Sequence, residues 1–157
     1  MVVEELVEER FWIEWEDKFE DDSQSYITPG NPMVVDASSS AMKRETGDAK
    51  AIAEMAWDYV YNNIDYKLSK LWKVPETTLL DKEGDCEDVT FLIASMLPNM
   101  GVKRSKIVIG DMVFPDGSET LHVWNEVDGH VIDATGSKES RDLAEYKAKT
   151  TYVIVAE

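Results

Sequence analysis

An α+β fold, with helices first and antiparallel strands afterwards, is predicted by three features of this 157-residue sequence. Apolar residues recur at helical spacing from about Gly47 to Asn63, and a helix-length apolar run follows Cys86. From Ile107 onward the period changes to two. Turn signals, Pro115-Asp116-Gly117 and Asp128-Gly129, separate the alternating runs as hairpin connections do. The length fits one domain over residues 1–157, with an acidic helix and connector in 1–40 and the main body in 47–157.

Taken in order, residues 4–22 are dense in Glu and Asp but carry Trp12, Trp15 and Phe19 at helix spacing. This predicts an amphipathic helix whose aromatic stripe docks on the body. Residues 21–40 hold Thr28-Pro29-Gly30-Asn31-Pro32 and Ser38-Ser39-Ser40, turn formers that predict a connector. A second helix is expected from about Gly47 to Asn63, with Ile52, Met55, Ala56, Tyr59 and Val60 on its apolar face. Residues 64–83 are expected to be irregular. A third helix should start near Cys86, because Val89, Phe91, Leu92, Ile93, Met96 and Leu97 form a run apolar enough to be buried, closed by Pro98 and Gly101. Residues 107–109 and 112–114 predict strand, as do Leu121–Val127, His130–Asp133 and Tyr152–Val155.

Composition narrows the function. The net charge of −16 repels phosphate backbones, so nucleic acid is not an expected partner. No run of eighteen or more apolar residues is present, so no membrane span is expected. Met1-Val2-Val3-Glu4-Glu5 lacks the basic and apolar regions of a signal peptide, which predicts a cytoplasmic location. A periplasmic or extracellular one would fit a chain that has lost its leader, and a phage or virus origin is equally compatible. One cysteine cannot form an internal disulfide.

That cysteine, Cys86, sits in Gly84-Asp85-Cys86-Glu87-Asp88. At the start of a helix, unpaired N–H groups and the positive dipole end stabilise a thiolate and can hold an oxyanion. Of the two histidines, His122 lies in the strand run Leu121-His122-Val123-Trp124, and Asp133 follows on the next strand. Across the Asp128-Gly129 turn the two need not be directly opposite; a diagonal neighbour on the same face stays within side-chain reach, particularly with a bulge. A thiol, an imidazole to move its proton and a carboxylate to orient the imidazole make a nucleophilic triad. His130, beside the turn, is expected in solvent.

These blocks, Gly84-Asp85-Cys86-Glu87-Asp88, His122-Val123-Trp124-Asn125-Glu126-Val127 and Val131-Ile132-Asp133-Ala134-Thr135, resemble those of the transglutaminase-like superfamily. With Trp72-Lys73-Val74-Pro75-Glu76-Thr77 upstream, the motif is most similar to the bacterial transglutaminase-like cysteine proteinases. The resemblance covers about residues 50–136. It implies a papain-like core with helices packed on an antiparallel sheet, and it places Cys86, His122 and Asp133 as the triad in that chain order.

What the resemblance implies about activity is a cysteine peptidase or amidase acting on a protein or peptide substrate through a thioester. Two alternatives use the same fold: acyl transfer from glutamine to an amine, with the same triad, and a non-catalytic binding module. The resemblance further implies a calcium site at Asp85 and Glu87, with Asp88 nearby. Calcium needs six to eight oxygens, so carbonyls and water would complete it. The competing reading of these acids is a capped helix start. Trp72 and Trp124 are placed by the same resemblance at the substrate cleft, with core packing as the alternative.

Overall fold

The computed structural model of the chain describes residues 2–7, 26–68, 71–135 and 142–156. Strand β1 (Val2–Val7) precedes helices α1 (Pro32–Ala41) and α2 (Ala49–Asn63). A two-residue strand β2 (Asp65–Tyr66), helix α3 (Pro75–Asp81) and strand β3 (Glu83–Gly84) lead into helix α4 (Cys86–Met96) and a 3-10 turn, Leu97–Met100. Strands β4 (Arg104–Val113), β5 (Glu119–Val127), β6 (His130–Ile132) and β7 (Glu145–Val155) follow. The main sheet runs β1-β7-β4-β5-β6 with every pair antiparallel, while β2 and β3 form a small parallel pair.

Helix α4 is the centre of the molecule. Val89, Leu92, Ile93 and Met96 face α1 and α2 in one buried cluster, and Phe91 and Ala94 face the sheet in another with Ile107, Ile109 and Ile154. A helix covered on both sides has no need of a polar face, and this is why its sequence reads as a nearly continuous apolar run. Its end is tightened by the Pro98 turn, and Gly101 closes it in the left-handed conformation at φ 103°.

Three expectations are corrected. Residues 4–7 belong to β1, paired with β7, rather than to a helix; the aromatic stripe Trp12, Trp15 and Phe19 lies outside the described residues. The connector contains α1. Asn31 and Pro32 are a helix start, not a turn: the Asn31 side chain accepts from the N–H groups of Met33 (2.9 Å) and Val34 (3.4 Å), and Pro32 occupies the first helical position. Ser38 is buried in that helix and returns its hydroxyl to the Val34 carbonyl at 2.7 Å, so a serine run that suggested a loop is accommodated in a helix. Among the described residues of 64–83 lie β2, α3 and the start of β3, with Pro75 at the first position of α3.

Candidate active site

The helix start at Cys86 is built by its neighbours. Asp85 is the N-cap, and its side chain accepts from the Asp88 N–H at 3.4 Å. The Asp88 carboxylate answers by accepting the Asp85 N–H at 3.1 Å, a reciprocal capping box. Its other oxygen accepts the Lys73 N–H at 2.8 Å, which ties the upstream Trp72–Lys73 segment to the helix. Asp88 is fully buried against Gly84, where an added Cβ would lie 2.8 Å from the Asp88 Cβ. The Gly-Asp-Cys-Glu-Asp sequence is therefore one packing unit whose glycine makes room for its last aspartate.

The short β6 opens the other side of the site. Its partners on β5 are Asn125 to Val127 only, so the Leu121–Trp124 stretch of β5 has no strand on that flank among the described residues. Helix α4 packs there instead. Thr90 donates to the Val123 carbonyl at 3.4 Å, and Asn125 donates to the Thr90 carbonyl at 3.1 Å. The Val123 N–H meets the Cys86 sulfur, one residue from His122. His122 stands opposite Gly110 on β4, where the β4–β7 register shifts between Ile109 and Gly110. A Cβ at Gly110 would come within 2.0 Å of the Lys147 carbonyl oxygen, so the close approach of β7 there requires glycine.

Asp133 lies just beyond β6, and its Oδ2 is 2.7 Å from His122 Nε2, both side chains buried. The diagonal relation across the turn thus becomes a direct contact. Burial acts to raise Asp133, but hydrogen bonds from His122 and Thr135 and the histidine's charge outweigh it and hold the carboxyl below its ordinary range. Cys86, His122 and Asp133 all line one cavity of about 470 Å³. Its remaining walls include Tyr66, Leu68, Met112, Phe114 and Leu121, together with the carboxylates Asp85 and Glu87.

The electrostatics of the thiol differ from the helix-start expectation. Burial, followed by the charges of Glu87 and Asp85, pushes the Cys86 thiol well above its ordinary value, against the pull of the Val123 N–H. Glu87 is itself pushed up to about 8, by burial first and then by its hydrogen bond with Asp85 and that group's charge. Two carboxyls beside one thiol therefore share a proton or need a counter-charge.

That charge suits a cation, but the donor set is short of a calcium shell. Among the described residues no group of three or more His, Cys, Asp or Glu side chains gathers as a metal cluster. Asp88 is the member of the expected set that departs: its oxygens face the backbone N–H groups of Lys73 and Asp85.

Of the two readings of the tryptophans, the geometry favours packing. Trp124 is 1% exposed and packs beside His122, ring centroids 6.1 Å apart, rather than lining the cleft. Trp72 packs on Tyr26 and Phe91, at 5.3 and 5.5 Å. His130 is exposed and borders a separate cavity of about 580 Å³ with Lys50 and Glu54.

Sequence reading missed Tyr66, Thr135 and Tyr146. Thr135 had a local signal, an Asp-x-Thr spacing: its N–H and hydroxyl reach Asp133 Oδ1 at 3.1 and 2.6 Å. Tyr66 and Tyr146 had none, since each arrives from a strand distant in sequence.

Comparison with known proteins agrees with this architecture. The sequence profile of the transglutaminase-like superfamily matches residues 36–131. No curated protein matches the chain in sequence. A Cytophaga hutchinsonii structure, proposed to be a cysteine protease, aligns with TM-score 0.54 at 14% identity, covering 84% of this chain and 52% of that one. LapG of Legionella pneumophila, in an EGTA-treated structure, aligns with TM-score 0.50 at 18% identity, covering 83% of this chain and 78% of that one. Such identities show the fold alone, and the chain spans about half the length of the Cytophaga protein. With more than half of the sequence inside the family profile, and helices packed on an antiparallel sheet around Cys86, the chain belongs to the transglutaminase-like superfamily.

Proposed function

We propose that this chain is a cysteine hydrolase of the peptidase or amidase type, with Cys86 as nucleophile, His122 as proton carrier and Asp133 as its orienting carboxylate. The observation that carries the reading is the buried 2.7 Å contact of His122 with Asp133, in the same cavity as the only cysteine. Because Nε2 is turned to Asp133, Nδ1 is the nitrogen left for the thiol. In the reaction, Cys86 sulfur adds to the amide carbon while its proton passes to His122 Nδ1. The C–N bond breaks, and that proton leaves with the amine, giving a thioester. Water then adds as His122 takes its proton, and the acid departs as the thiol re-forms.

The raised thiol fits general-base attack, in which His122 removes the proton during bond formation, better than a thiolate stored at rest. Asp88's N–H is engaged by Asp85 and Glu87's by its own carboxyl. The Cys86 N–H, at the first helical position, has no intrahelical acceptor and is the donor proposed for the oxyanion. The cleft favours a substrate with an apolar side chain beside the scissile amide: Leu68 is 80% exposed at the rim, and Met112, Phe114 and Leu121 form a wall. The Asp85 carboxylate disfavours an acidic residue at that point. Calcium enters the proposal only as a counter-charge for Asp85 and Glu87, completed by carbonyls and water, and it supplies no step.

The test is acylation by p-nitrophenyl acetate, followed by intact mass. The expected result is one acetyl group on Cys86, lost to water, with the rate falling at least about 100-fold in His122→Ala. Release faster with an added primary amine than with water would move the assignment to acyl transfer. No acylation of the wild type would leave the fold serving as a binding module.

A further inference from the structure

Asp133 is held at both carboxylate oxygens and at its main-chain carbonyl. Thr135 supplies two donors to Oδ1. The Trp57 indole N–H reaches the Asp133 carbonyl at 2.7 Å from helix α2. Oδ2 receives two partners: His122 Nε2 at 2.7 Å and the Tyr146 hydroxyl at 2.9 Å. Thr135 sits in the turn after β6, where its hydroxyl also lies 3.1 Å from His122 Nε2, whereas Tyr146 comes from β7, beyond a separate segment of chain. Its ring stands edge-on to Trp124 at 4.9 Å and 68°, and Trp124 lies beside the His122 ring. The same tyrosine therefore touches the carboxylate through its hydroxyl and the support of the histidine through its ring.

We propose that Tyr146 is a positioning residue for the Cys86 chemistry: its hydroxyl fixes Asp133 Oδ2 where that oxygen meets His122 Nε2–H. Thr135 fixes Oδ1 only within the turn after β6, so an Oδ2 bonded to the histidine alone moves with that turn and carries the imidazole with it. A second donor on the same oxygen, anchored in the sheet, removes that freedom. His122 then keeps the tautomer with Nδ1 open to the thiol, as a nucleophile–base–orienter arrangement requires. This inference rests on the triad reading given above.

The decisive variant is Tyr146→Phe, which keeps the ring against Trp124 and removes only the hydroxyl. Two readouts are taken on the full chain. The first is acetylation of Cys86 by p-nitrophenyl acetate, expected to fall about tenfold, the size of one hydrogen bond to a charged group. The second is the low-field proton resonance of His122 Nε2–H, with its ring nitrogens. With two histidines in the chain, His130→Gln assigns it. The resonance is expected to move or broaden in Tyr146→Phe; a purely structural tyrosine would lower the melting temperature and leave it in place. Wild-type rate and an unmoved resonance would overturn the proposal. If the phenylalanine variant proves too unstable, difluorotyrosine at position 146 strengthens the donor without removing it, and an unmoved resonance there overturns the proposal equally. Should wild-type Cys86 fail to acylate, the triad reading fails, while the resonance alone still decides whether Tyr146 positions His122 through Asp133.

Discussion

Glu87 beside the thiol makes stability depend on pH in a way one substitution isolates. Its carboxyl is pushed from 4.5 up to about 8, by burial and by Asp85. A carboxyl raised on folding stays protonated in the folded chain after the unfolded chain has released its proton. Its contribution is therefore fully present below about pH 4.5 and is lost as pH rises towards 8. At about 1.4 kcal/mol per unit, that interval sets a ceiling of about 5 kcal/mol. The Glu87 carboxyl keeps a hydrogen bond with Asp85 and the cleft opens to water, so an effect of about 1–2 kcal/mol is expected. Glu87→Gln carries no charge at any pH, and its amide donates to Asp85 in place of the proton. The variant should match the wild type near pH 5 and exceed it by about 1–2 kcal/mol near pH 9. Urea unfolding midpoints at pH 5, 7 and 9 read this directly, and Asp88, raised to about 6 by its burial, cancels because both proteins contain it. A difference between the two proteins that stays constant across this range would refute the reasoning.

Gly84→Ala should cost about 1–3 kcal/mol, because the new methyl group meets an Asp88 side chain fixed by two backbone donors. Urea melts with Gly30→Ala as comparison check it, since nothing lies within 4 Å of a Cβ there. Calcium at millimolar concentration should raise the melting temperature of the wild type more at pH 9 than at pH 5, because at low pH it competes with the Glu87 proton. Asp85→Asn should remove the rise, and an unchanged wild-type melting curve at both pH values would take calcium out of the proposal.

Much of the fold was legible from spacing alone. The period of two after Ile107, the Asp128-Gly129 turn and the apolar run after Cys86 each reflect a constraint local to its own element, and strands β4 to β6 and helix α4 followed. Where turn-forming residues served a helix instead, the reading failed: Asn31 and Pro32 cap α1, since the same side-chain acceptor and fixed φ serve a turn or a helix start. Cleft and core were both open for Trp72 and Trp124, because a tryptophan's position in sequence does not say which of its faces is covered.

The sequence by itself determined which groups are available for chemistry. One cysteine at a capped helix start, a histidine on a strand and an aspartate across a tight turn leave few ways to build a nucleophilic site. Only the tertiary structure decided the environment of those groups. Burial and the paired carboxyls raise the thiol instead of lowering it, Asp88 turns to the backbone, and Tyr146 arrives from β7 to hold Asp133. Dielectric surroundings and long-range hydrogen bonds depend on which elements meet. Spacing along a chain cannot encode that, because the partners are set by how the helices and the sheet pack.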